Sequence, residues 1–331
     1  MRFLSLKGPR YSGSKTDHFD GERFHNYVTR PKKFGDFLKW QLDKANNPWP
    51  SAIQNKSYPP PPSRVETGPL ITWMGHSSFC IQMLGLNILV DPLFSERAGP
   101  ISWAGPKRIR PVALALESLP PIDIVLIGHD HFDHLDMPTV EKLQELFHPK
   151  FFVGLGVGSH LNHIKKISVH EMDWFQTSTH GPLEIHFLPS QHWSKRFLLD
   201  VDNTLWGSFL LRPLAGNTSS VYFASDTGLG PHFEMIRNKL DTTPIDIALM
   251  PIGAYEPRWF MQFSHLNPHE ALVAADILQA RFVIPMHYGS FKFSDEKFDD
   301  PLREFNINSK NFPKQAPIIL DVGESKNFEG L

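Results

Sequence analysis

The chain has 331 residues, 41% of them hydrophobic, and a formal net charge of −2. This length permits a large core, and the near-neutral charge excludes a global attraction to nucleic acid or to an anionic membrane. A single cysteine, Cys80, excludes an internal disulfide and favours a reducing compartment, and no apolar run is long enough to cross a membrane. We therefore expect a cytoplasmic protein that binds no nucleic acid and has no transmembrane segment.

Residues 1–65 are polar and rich in turn residues, and we expect them to form an extension packed on the domain that follows. The run YPPPPS, residues 58–63, excludes helix and central strand and predicts an extended connector. The main folded domain is therefore predicted to span residues 66–331. Before the connector, the segment FGDFLKWQLDK predicts one amphipathic helix, whose apolar residues at helical spacing are Phe34, Phe37, Leu38 and Leu42.

Short apolar runs recur from residue 66 onward and predict strands, among them LITWMG, FCIQML, NILVDPLF, IDIVLIGH, KFFVGLG, LWGSFLLR, IDIALMPIGA, RFVIPMHYG and PIILDV. Helices are predicted in DMPTVEKLQELF and in NPHEALVAADILQ, where Asn267 is the expected N-cap and Pro268 the first helical residue. The strands first follow one another and then alternate with helices. This order predicts an α/β (α+β) fold with two sheets covered by helices, not one doubly wound sheet.

The densest group of titratable side chains follows the predicted strand IDIVLIG. His129, His131, Asp133 and His134 lie within six consecutive positions. Imidazole and carboxylate ligands suit zinc or another divalent transition metal, and four ligands are too many for one tetrahedral ion that keeps a place for water. The first two histidines face one way from an extended backbone, and the other two residues follow after the chain turns. The pattern predicts two adjacent ions.

Three further residues of metal-binding type stand where predicted strands end. They are His192 in LPSQHW, Asp226 in VYFASDTG and His287 in VIPMHYG. Loops at the carboxyl ends of strands are where α/β sheets carry function. We therefore predict two sites with Asp226 as the bridging carboxylate, the first formed by His129, His131 and His192 and the second by Asp133, His134 and His287.

The order of these ligands resembles the metallo-β-lactamase superfamily. Longer segments, including LPPIDIVLIGHDHFDHLD, PSQHWSKR, FASDTG and PIGAYEPRWFM, resemble the phospholipases D that hydrolyse N-acylphosphatidylethanolamine and their bacterial relatives, over about residues 66–320. The resemblance implies an αββα sandwich with the metals at one edge between the sheets. It also implies a binuclear zinc enzyme that releases N-acylethanolamine and phosphatidic acid, with iron or manganese as alternatives at one site.

In such an enzyme, two zinc ions lower the pKa of a bridging water, and the resulting hydroxide attacks the phosphodiester. The resemblance makes Asp133 a catalytic ligand and His265 a phosphate anchor or general acid. It also makes Lys195 a phosphate contact. Ser102 and Trp103 stand where animal members have Gln-Tyr, and Ser264 stands where they have Gln. Because serine is shorter and offers one hydroxyl, the preferred lipid is left open.

Other substrates would use the same metals. The alternatives are another phosphodiester lipid, a lactone or phospho-sugar, or a nucleic acid, and a non-enzymatic metal-holding scaffold is a further one. The net charge and the lack of a long Lys/Arg cluster disfavour the nuclease, and a full ligand set disfavours the scaffold.

A phospholipid substrate predicts peripheral association with a membrane surface. The basic segment GPKRIRP, residues 105–111, would suit anionic head groups. Phe94, Trp103 and the aromatics of the N-terminal helix are expected to lie mostly in the core, with contact to lipid as the alternative. A homodimer is expected because two-fold dimers are the commonest oligomers and because family members form them.

Overall fold

The computed structural model describes residues 8, 10–29, 34–45, 47–216, 218–240 and 244–330. The helices of this part of the chain are α1 (Phe34–Asp43), α2 (Met137–Phe147), α3 (Gly158–Leu161), α4 (His232–Lys239), α5 (Arg258–Met261), α6 (Pro268–Ile277) and α7 (Asp300–Ser309), with a 3₁₀ turn at Leu116–Ser118. The strands are β1 (Leu70–Gly75), β2 (Ser78–Met83), β3 (Leu86–Val90), β4 (Ile124–Ile127), β5 (Lys150–Gly154), β6 (Ser168–Met172), β7 (Gln176–His180), β8 (Leu183–Leu188), β9 (Ser208–Pro213), β10 (Val221–Phe223), β11 (Ile247–Pro251), β12 (Phe282–Met286), β13 (Ala316–Pro317) and β14 (Ser325–Asn327).

The strands form two mixed sheets of seven strands each. The first has the order β14-β1-β2-β3-β4-β5-β6 and the second β13-β12-β11-β10-β9-β8-β7. The main core lies between the sheets, where Ile124 and Leu126 of β4 share a cluster with Phe187 and Phe209 of the second sheet. The intervening residues of β4 face a second core under α2. The predicted architecture of two sheets covered by helices is confirmed.

Burial on both faces explains why β4 reads as an uninterrupted apolar run. It pairs in parallel with β3 and β5, and all four of its residues are buried. The start of α6 is also as predicted, since the Asn267 side chain accepts from the Glu270 backbone N–H in a complete capping box. Strand β4 leads directly into the loop that carries His129, His131, Asp133 and His134.

Several elements were not predicted. Strands β6 and β7 carry polar residues such as those of QTSTH, and their side chains are half-buried or exposed at the sheet edges. The short strand β14 and the helices α3, α4, α5 and α7 also lacked a recognised pattern. Of the run PIILDV, only Pro317 belongs to a strand, the two-residue β13 that pairs with β12.

The N-terminal extension contributes side chains to the main core. Phe19 and Phe24 pair through an isolated β-bridge, and each is 1% exposed. His18 stacks on Trp174 and contacts the Asp173 carboxylate through Nε2 at 2.7 Å. These contacts agree with an extension packed on the domain, while the boundary at residue 65 stays a prediction.

The N-terminal helix does not use its apolar stripe for packing. Phe37, Leu38 and Leu42 are 58%, 57% and 78% exposed, whereas Trp40 is buried; the side chain of Phe34 lies outside the described residues. Trp103 is also 75% exposed. The expectation that these aromatics lie mostly in the core was therefore wrong for Phe37 and Trp103. The helix α1 meets the domain through the indole of Trp40, which stacks on Phe260, and through Lys39, whose ammonium nitrogen lies 5.0 Å from the Trp259 ring centre.

Among the described helices, none has both the length and the apolar character needed to cross a bilayer.

Candidate metal centre

Titratable side chains gather at the edge of the sandwich where several strands end. Strands β3 and β4 are parallel, as are β10, β11 and β12, so their carboxyl ends meet at common edges. The turn between β1 and β2 lies at the same edge of its sheet, because β2 is antiparallel to both of its neighbours. The residues that follow these strands are His76, Asp91, His129, Asp226 and His287.

The first cluster contains three imidazoles. The Nε2 atom of His129 lies 2.9 Å from Nδ1 of His131, and Nε2 of His192 lies 3.2 Å from the same atom. The Nδ1 atom of His192 donates to the carbonyl of Ser264 at 3.0 Å, which turns its Nε2 lone pair towards the cluster. Burial lowers the pKa of His129 and His192 well below the usual value and that of His131 to about 4. Three neutral rings thus direct lone pairs at one point.

The second cluster combines carboxylate and imidazole. Oδ2 of Asp133 lies 3.3 Å from Nε2 of His134 and 3.4 Å from Nε2 of His287. The far nitrogen of His134 is held by Asp91, with Nδ1 and Oδ2 2.6 Å apart. Burial opposes charge here, but the surrounding carboxylates raise the pKa of His134 well above its usual value and that of His287 to about 9. The same histidines keep the pKa of Asp133 well below its usual value against the effect of burial.

Asp226 lies between the two clusters. Its Oδ2 atom is 3.2 Å from His287 Nε2 and 3.3 Å from His134 Nε2 on one side, and 3.9 Å from His192 Nε2 on the other. The carboxylate is 3% exposed. This is the place that the sequence assigned to a carboxylate shared by two ions.

The clusters fit a metal because several of their buried donor atoms are unpartnered. Nε2 of His134, Nε2 of His287 and Oδ1 of Asp226 are buried and have no hydrogen-bond partner within the described part of the chain. Buried polar atoms are almost always hydrogen-bonded. Ligand atoms within 4.8 Å of one another form the groups His129–His131–His192 and His76–Asp133–His134–His287. Imidazole and carboxylate donors in this arrangement suit divalent transition metals.

His76 was not predicted from the sequence. It is 1% exposed, and its Nε2 atom lies 3.0 Å from Oδ2 of Asp133. The backbone is left-handed, with φ of 55°, and the carbonyl accepts from the Trp73 indole and from the backbone N–H of His287. Burial lowers the pKa of His76 to about 3, so the neutral ring can donate from Nε2 to Asp133. The sequence feature that could have identified His76 is the polar turn in LITWMGHSSFCIQM, between two predicted strands. Asp91 was also missed, although it directly follows the predicted strand in NILVDPLF.

The sequence around these clusters matches a known protein family. A model described as "Beta-lactamase superfamily domain" matches residues 86–288. The chain belongs to the metallo-β-lactamase superfamily. It is therefore a metal-dependent hydrolase that binds divalent metal through its histidine and aspartate clusters.

Similar members of the superfamily include phospholipases. The N-acyl-phosphatidylethanolamine-hydrolyzing phospholipase D 1 of Caenorhabditis elegans is 34% identical over 275 residues, which are 78% of this chain and 76% of the relative. The mitochondrial enzyme of that name from Saccharomyces cerevisiae is 35% identical over 71% of this chain and 51% of its own length. A UPF0173 metal-dependent hydrolase of Methanopyrus kandleri is 28% identical over 77% of this chain and 98% of its own.

Solved structures of two hydrolases share the fold. Igni18, a metallo hydrolase from Ignicoccus hospitalis, aligns with a TM-score of 0.61 at 22% identity, covering 80% of this chain and 99% of its own. An isothiocyanate hydrolase from Delia radicum gut bacteria aligns with a TM-score of 0.62 at 17% identity, covering 78% of this chain and 99% of its own. The predicted sandwich is confirmed.

Of the predicted substrate contacts of this superfamily member, the structure brings two to the metal centre. Nδ1 of His265 lies 3.8 Å from Oδ2 of Asp226, and its ring centre is 5.3 Å from that of His192. Ser264 is buried beside it and accepts from His192 through its carbonyl. Ser102 and Trp103 instead lie in an exposed turn.

Two basic residues have different surroundings. The backbone N–H of Lys195 donates to the buried Asp130 carboxylate at 3.0 Å, which fixes the chain three residues after His192. Arg108, from the basic segment GPKRIRP, is turned inward: its guanidinium lies 4.7 Å from the Phe291 ring centre, and Nε donates to the Ser95 carbonyl. Burial lowers the pKa of Arg108 to about 10. Arg108 is therefore not placed to contact a lipid head group.

Proposed function

We propose that this hydrolase is a binuclear zinc phospholipase D that converts N-acylphosphatidylethanolamine to N-acylethanolamine and phosphatidic acid. The observation that carries the proposal is the pair of clusters joined by Asp226, in a chain 34% identical to a phospholipase D of that name. Zinc is the expected metal because imidazole dominates both clusters. The alternative is hydrolysis of another phosphodiester lipid, because Ser102 and Ser264 stand where animal members of the family have glutamine.

The ligands are assigned as the sequence predicted. His129, His131 and His192 would hold the first ion, Asp133, His134 and His287 would hold the second, and Asp226, which lies between the two sets, would be the shared carboxylate. When bound, two zinc ions supply a nucleophilic water at neutral pH and stabilise charge on the phosphoryl oxygens. Asp91 orients His134, and His76 orients Asp133, through the contacts described above.

His265 and Lys195 are assigned to the substrate. His265 borders both clusters through Asp226, and its Nδ1 atom is buried without a hydrogen-bond partner among the described residues. From this position it can donate to a phosphate oxygen or protonate the leaving alkoxide. Lys195 is half-buried, and its backbone is fixed by Asp130, so its ammonium group can offer a point charge to the phosphate.

Exposed apolar residues support docking on a membrane surface. Leu42 and Trp103 are 78% and 75% exposed, and Phe37 and Leu38 add to the apolar face of α1. Phe37, Leu38 and Leu42 are exposed on one helix, and an apolar face of this kind usually meets a partner or lipid. We propose that α1 and the turn at Trp103 contact the lipid surface.

The test is turnover of N-acylphosphatidylethanolamine in mixed micelles by the zinc-loaded chain. We expect release of both products, loss of release in Asp133→Asn, and an unchanged rate in a His18→Gln control, because His18 lies away from the clusters. For His265→Ala we expect full metal content with a large fall in kcat/KM. Turnover of bis(p-nitrophenyl) phosphate without release from this lipid would contradict the substrate and favour another phosphodiester lipid.

A further inference from the structure

A second pocket lies beside α1, outside the two metal clusters. It has a volume of about 340 Å³, within the range of small-ligand sites. No lysine or arginine is among the described residues that line it. Five carboxylates line it, namely Asp43, Glu256, Asp295, Glu296 and Asp300.

Asp295 provides an unsatisfied charge in this pocket. The residue is 7% exposed, and its Oδ2 atom accepts from the Trp40 indole N–H at 3.0 Å. Its Oδ1 atom is buried and has no hydrogen-bond partner among the residues that the structure describes. A buried carboxylate oxygen without a donor is costly. The position calls for a ligand that brings both a positive charge and a hydrogen-bond donor.

The neighbouring acids increase the negative potential without neutralising it. Glu296 is held in place by the backbone N–H groups of Ala254 and Glu256 and by the Ser294 hydroxyl. Burial, together with Glu296 and Glu304, raises the pKa of Glu256. Asp43, at the end of α1, is exposed at the pocket edge.

The aromatic walls also favour a cation. Trp40 and Trp259 both line the pocket. The chain's own Lys44 places its ammonium nitrogen 5.2 Å from the Trp40 ring centre, and Lys39 places its nitrogen 5.0 Å from that of Trp259. Both lysines are exposed and can move away. Each indole therefore presents a ring face where an ammonium group is stabilised.

We propose that this acidic pocket binds an organic cation that carries at least one primary ammonium group. A primary ammonium has N–H donors for Oδ1 of Asp295, whereas a quaternary ammonium has none. The five carboxylates alone would also suit Mg²⁺ or Ca²⁺, but the two indoles add ring faces that stabilise an ammonium group and supply no metal ligand, which favours the organic cation. This site is independent of the lipid substrate proposed above.

The test uses the zinc-loaded chain of 331 residues at neutral pH and low ionic strength. The probe is 1,5-diaminopentane, and the matched neutral compound is pentane-1,5-diol, which has nearly the same shape; both are titrated by calorimetry. We expect saturable binding of the diamine alone. Asp295→Asn and Asp43→Asn should each weaken it by at least about fivefold, because each removes one carboxylate from the pocket. Glu145→Gln on α2, far from the pocket lining, is the control and should bind like the parent.

The zinc content of every variant is measured and reports whether the fold is intact. Because Asp43 is exposed, Asp43→Asn should fold, and it tests the pocket even if Asp295→Asn misfolds. Equal diamine binding by Asp43→Asn and the parent would overturn the proposal. Equal binding of the diol would also overturn it, as would saturable Mg²⁺ binding at Asp295 without diamine binding.

Discussion

His76 offers the sharpest test of how the second cluster is held. We consider His76→Asn, because asparagine tolerates the left-handed backbone at this position but is too short to reach Asp133. The substitution removes a hydrogen bond to a charged group, worth about 1.5–3 kcal/mol. Loss of a residue that orients a metal ligand lowers metal affinity about 10–100-fold, and this change in binding free energy is similar to the energy of the lost hydrogen bond. We therefore expect the more affected of the two zinc ions to bind about 10–100-fold more weakly.

The assay is zinc competition against a chromophoric chelator, with the total zinc counted by elemental analysis. His18→Asn is the matched control, because His18 is another buried imidazole that contacts a carboxylate, at 2.7 Å from Asp173, but lies outside the clusters. Only the His76 variant should lose affinity, and only for one ion. Unchanged affinity in His76→Asn, or an equal loss in both variants, would refute the reasoning.

Three further predictions concern the extension and the surface. Phe24→Ala removes a ring that is 1% exposed in the main core, and urea titration should show a loss of about 3–5 kcal/mol in unfolding free energy; a loss near zero would mean that residues 1–65 are dispensable for folding. Burial lowers the pKa of His18, but hydrogen bonds to Asp173 and Asp17 raise it by more. The stability that His18 contributes is therefore fully present below the pKa that this histidine has in the unfolded chain, and it is lost as the pH rises through the pKa in the folded chain. The unfolding free-energy difference between the parent and His18→Gln should accordingly shrink as the pH rises through the raised pKa of His18, and a growing difference would contradict this sign. Leu42→Ser with Trp103→Ser should reduce sedimentation with phospholipid vesicles while leaving turnover of bis(p-nitrophenyl) phosphate unchanged, and unchanged sedimentation would argue against docking through these residues.

Much of the metal centre could be predicted because strand ends are visible in a sequence. His192, Asp226 and His287 each follow an apolar run, and the fold brings those ends to one edge. His76 was not predicted as a site residue because it lies in a tight turn between two strands. Residues in such turns usually serve only to reverse the chain. Asp91 was not predicted although it obeys the same strand-end rule, because seven other residues already filled both predicted metal sites.

The limits of the fold prediction have a physical cause as well. The edge strands β6 and β7 are stabilised by backbone pairing and bury few side chains, so they lack an apolar period. The helix α1 was correctly predicted to be amphipathic, but the spacing of its apolar residues does not show which residues cover its apolar face. Tertiary contacts bury Trp40, whereas Phe37, Leu38 and Leu42 stay exposed. The acidic pocket combines segments from α1, residues 256–259 and residues 295–300, which no local pattern connects.

The central claim is that the metal centre directs water to the phosphorus of an N-acylphosphatidylethanolamine and expels the ethanolamide. The most direct test is hydrolysis of this lipid in ¹⁸O-labelled water by the zinc-loaded chain, with both products analysed by mass spectrometry. We expect one labelled oxygen in the phosphate of phosphatidic acid and none in the N-acylethanolamine. Label in the alcohol of the N-acylethanolamine, or release of diacylglycerol with a phosphorylated ethanolamide, would contradict the account.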